Sequence, residues 1–292
     1  MKIIREISAS FTGKISTGSF ENESPYFSIK EIIEDESALG LPDEAIAQRQ
    51  KKLHEICYNQ FKAQAERASI DKIAKQYQNI RFYDTSEGVR YPSVTSIIGW
   101  DADFYMAPDQ LNQYGARGTI IHKQVEIFLK TGKWLEPKDI PEIYPELVIL
   151  KQGDLGLTVD DVNFRDFYKD FPFKVISTEE TLINHEHKYA GRRDIKGIIE
   201  SSNKGKWEKV EGILFDVPTC FDVKSGSIDK TKCMKQQQAY AMCDPEIKQM
   251  ILIPLTNDNK CGYAKPIIET NMEKYSSLFL RDRENFRKRF NV

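Results

Sequence analysis

A strand, a glycine turn, a helix and a second apolar strand follow one another between Thr219 and Leu255, and that order constrains the fold more than any other stretch. Thr219 to Lys224 reads as a strand carrying Asp222 and Lys224 on one face, because side chains two apart on a strand point the same way. Phe221 and Val223 then fall on the opposite face. Ser225-Gly226 turns the chain, and the helix expected over 230–242 bears Gln236 and Tyr240 one turn apart. Gln249 to Leu255 is apolar along its length, as a buried strand is.

The flanking sequence continues the alternation. Strands are expected at Lys174–Leu182, Arg192–Glu200, Gly212–Val217 and Gly262–Ile268, and helices at Leu111–Lys130 and Met272–Arg289. The predicted class is α/β, a central mixed sheet with helices on its faces. The first part of the chain differs. Strand-like segments around glycines precede a helix that Asp43 caps, with Ile46, Leu53, Ile56, Cys57 and Phe61 at helical spacing. Two domains are therefore expected: residues 1–88, a hairpin-plus-helix extension, and residues 89–292. The extension reads either as packing for the main domain or as a surface that grips substrate.

With 40% hydrophobic and 29% charged residues the chain can bury a core. Its net charge of -2 gives no global basic signature, so a nucleic-acid partner requires local positive charge. No apolar run reaches the length of a membrane span, and Met1 to Glu6 lacks a signal-peptide apolar region, so no membrane association and a cytoplasmic setting, bacterial or phage-infected, are the expectation. The five cysteines are then expected to be reduced.

A carboxylate beside an ammonium suits phosphodiester chemistry, one holding a metal and the other a developing charge. Asp/Glu-x-Lys occurs six times, at Glu136, Glu186, Asp194, Asp222, Glu246 and Asp258. Asp222 stands apart through its apolar strand neighbours and the helix that follows. Gly191-Arg192-Arg193-Asp194 enters an alternating strand, where Asp194 can meet Asp222 across neighbouring strands. Two close carboxylates repel unless a cation sits between them, which points to a divalent metal. Neutralisation of Asp194 by Arg192 or Arg193 is the simpler alternative. Gly118-Thr119-Ile120-Ile121-His122 begins a helical turn that places Glu126 on the same face as His122.

Gly118-x-x-x-His122, Gly191-x-x-Asp194, Asp222-x-Lys224 and Gln236-x-x-x-Tyr240 occur in the order seen in RecB-like nucleases of the PD-(D/E)xK superfamily, and the region 91–289 resembles them. The resemblance implies a restriction-endonuclease-like core and metal-dependent DNA cleavage. By motif position it implies His122, Asp194, Asp222 and the carbonyl of Val223 as ligands of Mg²⁺ or Mn²⁺, and Lys224 as the catalytic lysine. Gln236 and Tyr240 match the helix pair that supports the site and touches the DNA backbone. Glu179 or Glu180 matches a glutamate that precedes Gly-x-x-Asp in the family, and Glu126 is a further residue behind the ligands. Arg117, Arg192 and Arg193 are candidate DNA contacts.

Relatives with an iron–sulfur cluster carry one upstream cysteine and three grouped after the Gln/Tyr helix. Here only Cys243 and Cys261 follow Tyr240, so no cluster is expected. No phosphate-binding loop of the Gly-x-x-x-x-Gly-Lys-Ser/Thr type is present, so no ATP use is expected. What remains is similar to stand-alone exonucleases of phages and of mitochondrial genome maintenance, acting on linear DNA in recombination, repair or replication, alongside other proteins of those processes. A nuclease-fold DNA-binding scaffold, a structure-specific endonuclease and a phosphoesterase of small nucleotides remain as alternatives.

Overall fold

The computed structural model describes residues 4–12, 15–16, 22–23, 26–34, 43–76, 80–86, 88–100, 108–135, 163–256 and 260–292. They divide into two units, residues 1–91 with 286–292, and residues 92–285.

In the first unit, β1 (Ile4–Thr12) and β4 (Tyr26–Glu34) form an antiparallel ribbon, with the short pair β2 (Ile15–Ser16) and β3 (Asn22–Glu23) between them. The apolar stripe expected after Asp43 forms one helix, α1 (Asp43–Gln76), which buries Leu53, Cys57, Ile70 and Ile73. Ile56, expected in that stripe, is instead 38% exposed. β5 (Phe82–Asp84) pairs with β6 (Arg90–Pro92), and Arg90 Nε reaches Asp84 at 2.9 Å.

The second unit is a mixed five-stranded sheet flanked by helices. Its helices are α2 (Val94–Gly99), α3 (Pro108–Thr131), α4 (Phe164–Asp170), α5 (Lys230–Ala241) and α6 (Ser276–Phe290), which runs past its end. The strands are β7 (Lys174–Asn184), β8 (Tyr189–Ile198), β9 (Pro218–Lys224), β10 (Gln249–Pro254) and β11 (Ile267–Glu269), in the order β11-β10-β9-β8-β7. Only β9 and β10 run parallel, and α5 makes the crossover that parallel neighbours require.

Alternation along β9 and β10 sorts their side chains between two layers. Phe221, Val223, Ile251 and Ile253 join Ile120, Ile121 and Val125 of α3 and the aromatic group of Phe164, Phe167, Phe173 and Trp207. Met250 and Leu252 face the other way, packing with Cys233 and Met234 of α5 and Tyr275. Each fully buried Phe or Ile contributes about 1.5–3 kcal/mol by burial. The sheet is thus packed on both faces where the candidate site lies.

One expected strand is absent. Residues 212–217 form turns, because Gly212 and Asp216 adopt φ of +79° and +60° and the Asp216 N–H bonds to the Ile199 carbonyl instead of a ladder partner. The strand expected from Gly262 is reduced to β11, after a turn. No helix among the described residues is long and apolar enough to cross a membrane.

Candidate metal centre

Two strands bring acids to the edge of the α3 layer, and a third places one beside them. Thr178 pairs with Ile195 and Glu180 with Arg193, so Glu179 stands opposite Asp194 across β7 and β8. Ile195 in turn pairs with Phe221, which puts Asp222 of β9 at the next register position, beside Asp194. His122 reaches the same place from α3, with its Nδ1 3.3 Å from Asp194 Oδ2 and 3.9 Å from Glu179 Oε1. One ligand atom from each of His122, Glu179 and Asp194 lies within 4.8 Å of the other two.

The backbone departs from regular geometry to achieve this. Successive side chains of a strand point to opposite faces. Yet Thr178 and Glu179 both line the recess beside α3, and so do Asp194 and Ile195. Glu179 has φ +52°, the left-handed region that residues with a Cβ avoid at a cost of about 1–2 kcal/mol. This turn-over selects Glu179 for the recess and sends Glu180 to Arg193, a choice that two adjacent glutamates left open in the sequence.

Asp222 takes a different position from the expected one. Because Phe221 and Val223 face the α3 layer, Asp222 and Lys224 project toward α5. Lys224 Nζ lies 2.7 Å from Asp222 Oδ2, donates to Asp222 Oδ1 at 3.0 Å and donates to Gln236 Oε1 at 3.3 Å. Gln236 Nε2 then donates to the Tyr240 hydroxyl at 3.1 Å. Asp222 is therefore not one of the three converging residues. Its Oδ2 is buried at the edge of the group, where the Lys224 ammonium 2.7 Å away balances its charge.

Val223 contributes its N–H, which donates to Asp194 Oδ2 at 2.9 Å. The Lys224 carbonyl accepts from Leu255 on the β10 side, so by alternation the Val223 carbonyl projects from the β8 edge, toward the site. Gly191 makes room for Tyr240. A Cβ there would lie 2.5 Å from Tyr240 Cε1 and 3.2 Å from Val94 Cγ2.

Several expected contacts are corrected. Arg193 is 1% exposed and bonds Glu180 Oε2 at 2.7 Å and Asp244 Oδ2 at 2.9 Å, so it has no surface for DNA. Arg117 is buried and donates to the Ser225 carbonyl, bracing α3 against the turn after β9. Tyr240 is buried, so it has no surface for the DNA backbone, and its hydroxyl holds Gln236 from beneath. The Glu126 carboxylate is held by Lys123 at 2.8 Å and Lys130 at 2.6 Å, although its side chain lines the recess. Arg192 is 55% exposed and pairs with Glu179 Oε2 at 2.7 Å. Thr178, whose Oγ1 is buried without a hydrogen bond, is a recess residue that the sequence did not single out.

The charges are strongly perturbed. Burial alone would lower the His122 pKa, but the charge and hydrogen bond of Asp194, with help from Glu179, raise it from 6.5 to about 10. Burial works to raise Asp194, yet His122, Lys224 and the Val223 N–H hold it below the usual carboxylate range. Asp222 is raised to about 6, chiefly by burial and also by Asp194, against the pull of Lys224. Burial would lower Lys224, but Asp222 and Asp194 outweigh it and keep the ammonium charged.

An imidazole and two carboxylates form a donor set suited to Mg²⁺ or Mn²⁺, with the nitrogen favouring the latter. No protein-family profile matches the chain, and no curated protein matches it.

Proposed function

We propose that this chain is a metal-dependent deoxyribonuclease, an exonuclease of linear DNA with a PD-(D/E)xK-type core like that of RecB-like nucleases. The convergence of His122, Glu179 and Asp194 beside the Asp222–Lys224 pair carries this reading. His122, Glu179 and Asp194, with Asp222 Oδ2 and the Val223 carbonyl adjoining, would hold Mg²⁺ or Mn²⁺. Such an ion, when bound, polarises a phosphate oxygen and acidifies a coordinated water.

The chain's own groups have separable tasks. The Val223 N–H fixes the orientation of Asp194 by a hydrogen bond to Oδ2. Lys224 stays protonated, so it serves as a donor and a charge facing the phosphate, and not as a base. Gln236, held by Tyr240, limits where the Lys224 ammonium can point. The exposed guanidinium of Arg192 offers a phosphate contact at the rim.

Cleavage of 5′- and 3′-end-labelled linear and circular DNA tests the proposal. Wild type should degrade linear DNA with Mg²⁺ or Mn²⁺ and stop in EDTA. Asp194→Asn and Lys224→Ala should fold and lose cleavage, the lysine variant by about 10²–10³-fold. Cleavage that survives EDTA or Asp194→Asn would refute it. Cleavage of circular DNA at the same rate would favour an endonuclease.

A further inference from the structure

We infer that Ser177, Glu180 and Arg193 are positioning residues that lock Glu179 in its left-handed backbone conformation and so deliver its carboxylate to His122 and Asp194. The consequence for metal binding rests on the metal-centre reading above, whereas the lock itself does not.

A non-glycine residue at φ +52° inside a strand persists only where its surroundings over-determine it. The bonds on either side of Glu179 supply that constraint. Ser177 Oγ donates to Glu180 Oε2 at 2.6 Å, and Arg193 Nη2 donates to the same oxygen at 2.7 Å. Arg193 Nη1 donates to Asp244 Oδ2 at 2.9 Å, which anchors the guanidinium beyond the end of α5.

Ser177 and Glu180 are three residues apart, and on a regular strand they would face opposite sides. They meet because the backbone turns over at Glu179 between them. The Ser177–Glu180 bond and the left-handed conformation are thus one state. Glu180 and Arg193 are also directly paired across β7 and β8, so the lock sits one register step from the Glu179–Asp194 pair. Arg193 is 1% exposed, with its Nε buried and unbonded, a placement that serves geometry better than solubility. Burying a charge in this way costs stability unless its partners are fixed.

The test uses Ser177→Ala combined with Glu180→Ala, which removes both bonds to the Glu180 carboxylate and leaves the Arg193–Asp244 pair in place. Its first readout is metal-free. Glycine is less stabilising than alanine at an ordinary strand position, but more so where φ is positive. With the lock intact, the urea midpoint of Glu179→Gly should exceed that of Glu179→Ala. With the lock removed the difference should vanish or reverse. An unchanged difference in the two backgrounds would overturn the inference.

Its second readout is Mn²⁺ affinity by calorimetry. Removing the lock should weaken binding by about tenfold or more when Glu179 is present. It should add no further loss in the Glu179→Ala background, and Ser177→Thr, which keeps the hydroxyl, should retain affinity. Equal losses with and without Glu179 would mean that the lock does not act through that carboxylate. If wild type binds no Mn²⁺, the metal reading fails, and the glycine–alanine comparison still decides the lock.

Discussion

Glu179 stands opposite Asp194 on neighbouring strands, and its left-handed backbone turns its carboxylate into the recess where Asp194 Oδ2 lies 3.3 Å from His122 Nδ1. The site thus depends on a break in strand alternation at Glu179. Acids from β7 and β8 meet a helix histidine on one side of the sheet end, while Asp222 and Lys224 meet α5 on the other.

Metal uptake should release a proton. In the metal-free protein His122 is raised to about 10, so at neutral pH it is an imidazolium and must lose a proton before its nitrogen can ligate. Calorimetry in buffers of different ionisation enthalpy should show about one proton released per ion near pH 7.5. The same shift makes the metal-free fold sensitive to pH. A folded pKa above the unfolded value of 6.5 stabilises fully below 6.5, and that stability is lost as pH rises through about 10. No proton release would place His122 outside the ligand set.

Lys224→Met should destabilise the metal-free protein in a pH-dependent way. Asp222 is 2% exposed and would lose its counter-ion, a change that costs about 3 kcal/mol, the low end for a buried pair because Lys224 is partly exposed. Asp222 is raised from 3.8 to about 6, so its own contribution is present below 3.8 and lost as pH rises through 6. Urea midpoints of variant and wild type should therefore converge as the pH falls through about 6 and diverge above it. A constant gap across that range would show that the pair is not electrostatic in effect.

The two adjacent arginines should behave oppositely. Arg193→Met removes a buried guanidinium from between Glu180 and Asp244 and should cost about 3 kcal/mol, the low end for a buried pair because Asp244 keeps Lys196 at 2.8 Å, whereas exposed Arg192→Ala should cost under about 1 kcal/mol. Denaturant titrations of both variants decide this. Arg192→Ala, and not a folded Arg193 variant, should lower the salt dependence of DNA binding.

Much of this arrangement was legible in the sequence, for physical reasons that also mark where it stops. Apolar alternation identified β9, an unbroken apolar run identified β10, and the Gln236–Tyr240 spacing survives as a hydrogen-bonded pair. Period-two reasoning assumes regular strands, so it placed Asp194 and Asp222 together and could not separate Glu179 from Glu180. The φ of Glu179 separates the two glutamates, together with the bonds of Ser177 and Arg193 to Glu180, whereas alternation along β9 turns Asp222 toward α5. Likewise Arg192 and Arg193 are identical in sequence terms, and only the strand's facing buries one and exposes the other.

Gly191→Ala should leave the sheet folded but disable the support beneath Lys224. A Cβ 2.5 Å from Tyr240 Cε1 forces the ring away, and with it the hydroxyl that holds Gln236. Cleavage should fall by about tenfold or more while Mn²⁺ affinity stays near wild type, since His122, Glu179 and Asp194 lie on the other side of the sheet. A variant with unaltered cleavage would remove Tyr240 from the site.

Calorimetric titration of Mn²⁺ into wild type and Asp194→Asn tests the metal centre most directly. Wild type should bind, and Asp194→Asn, with an unchanged far-ultraviolet circular dichroism spectrum, should bind at least about tenfold more weakly. Absence of binding to wild type, or equal affinity in the two proteins, would contradict a centre built on His122, Glu179 and Asp194.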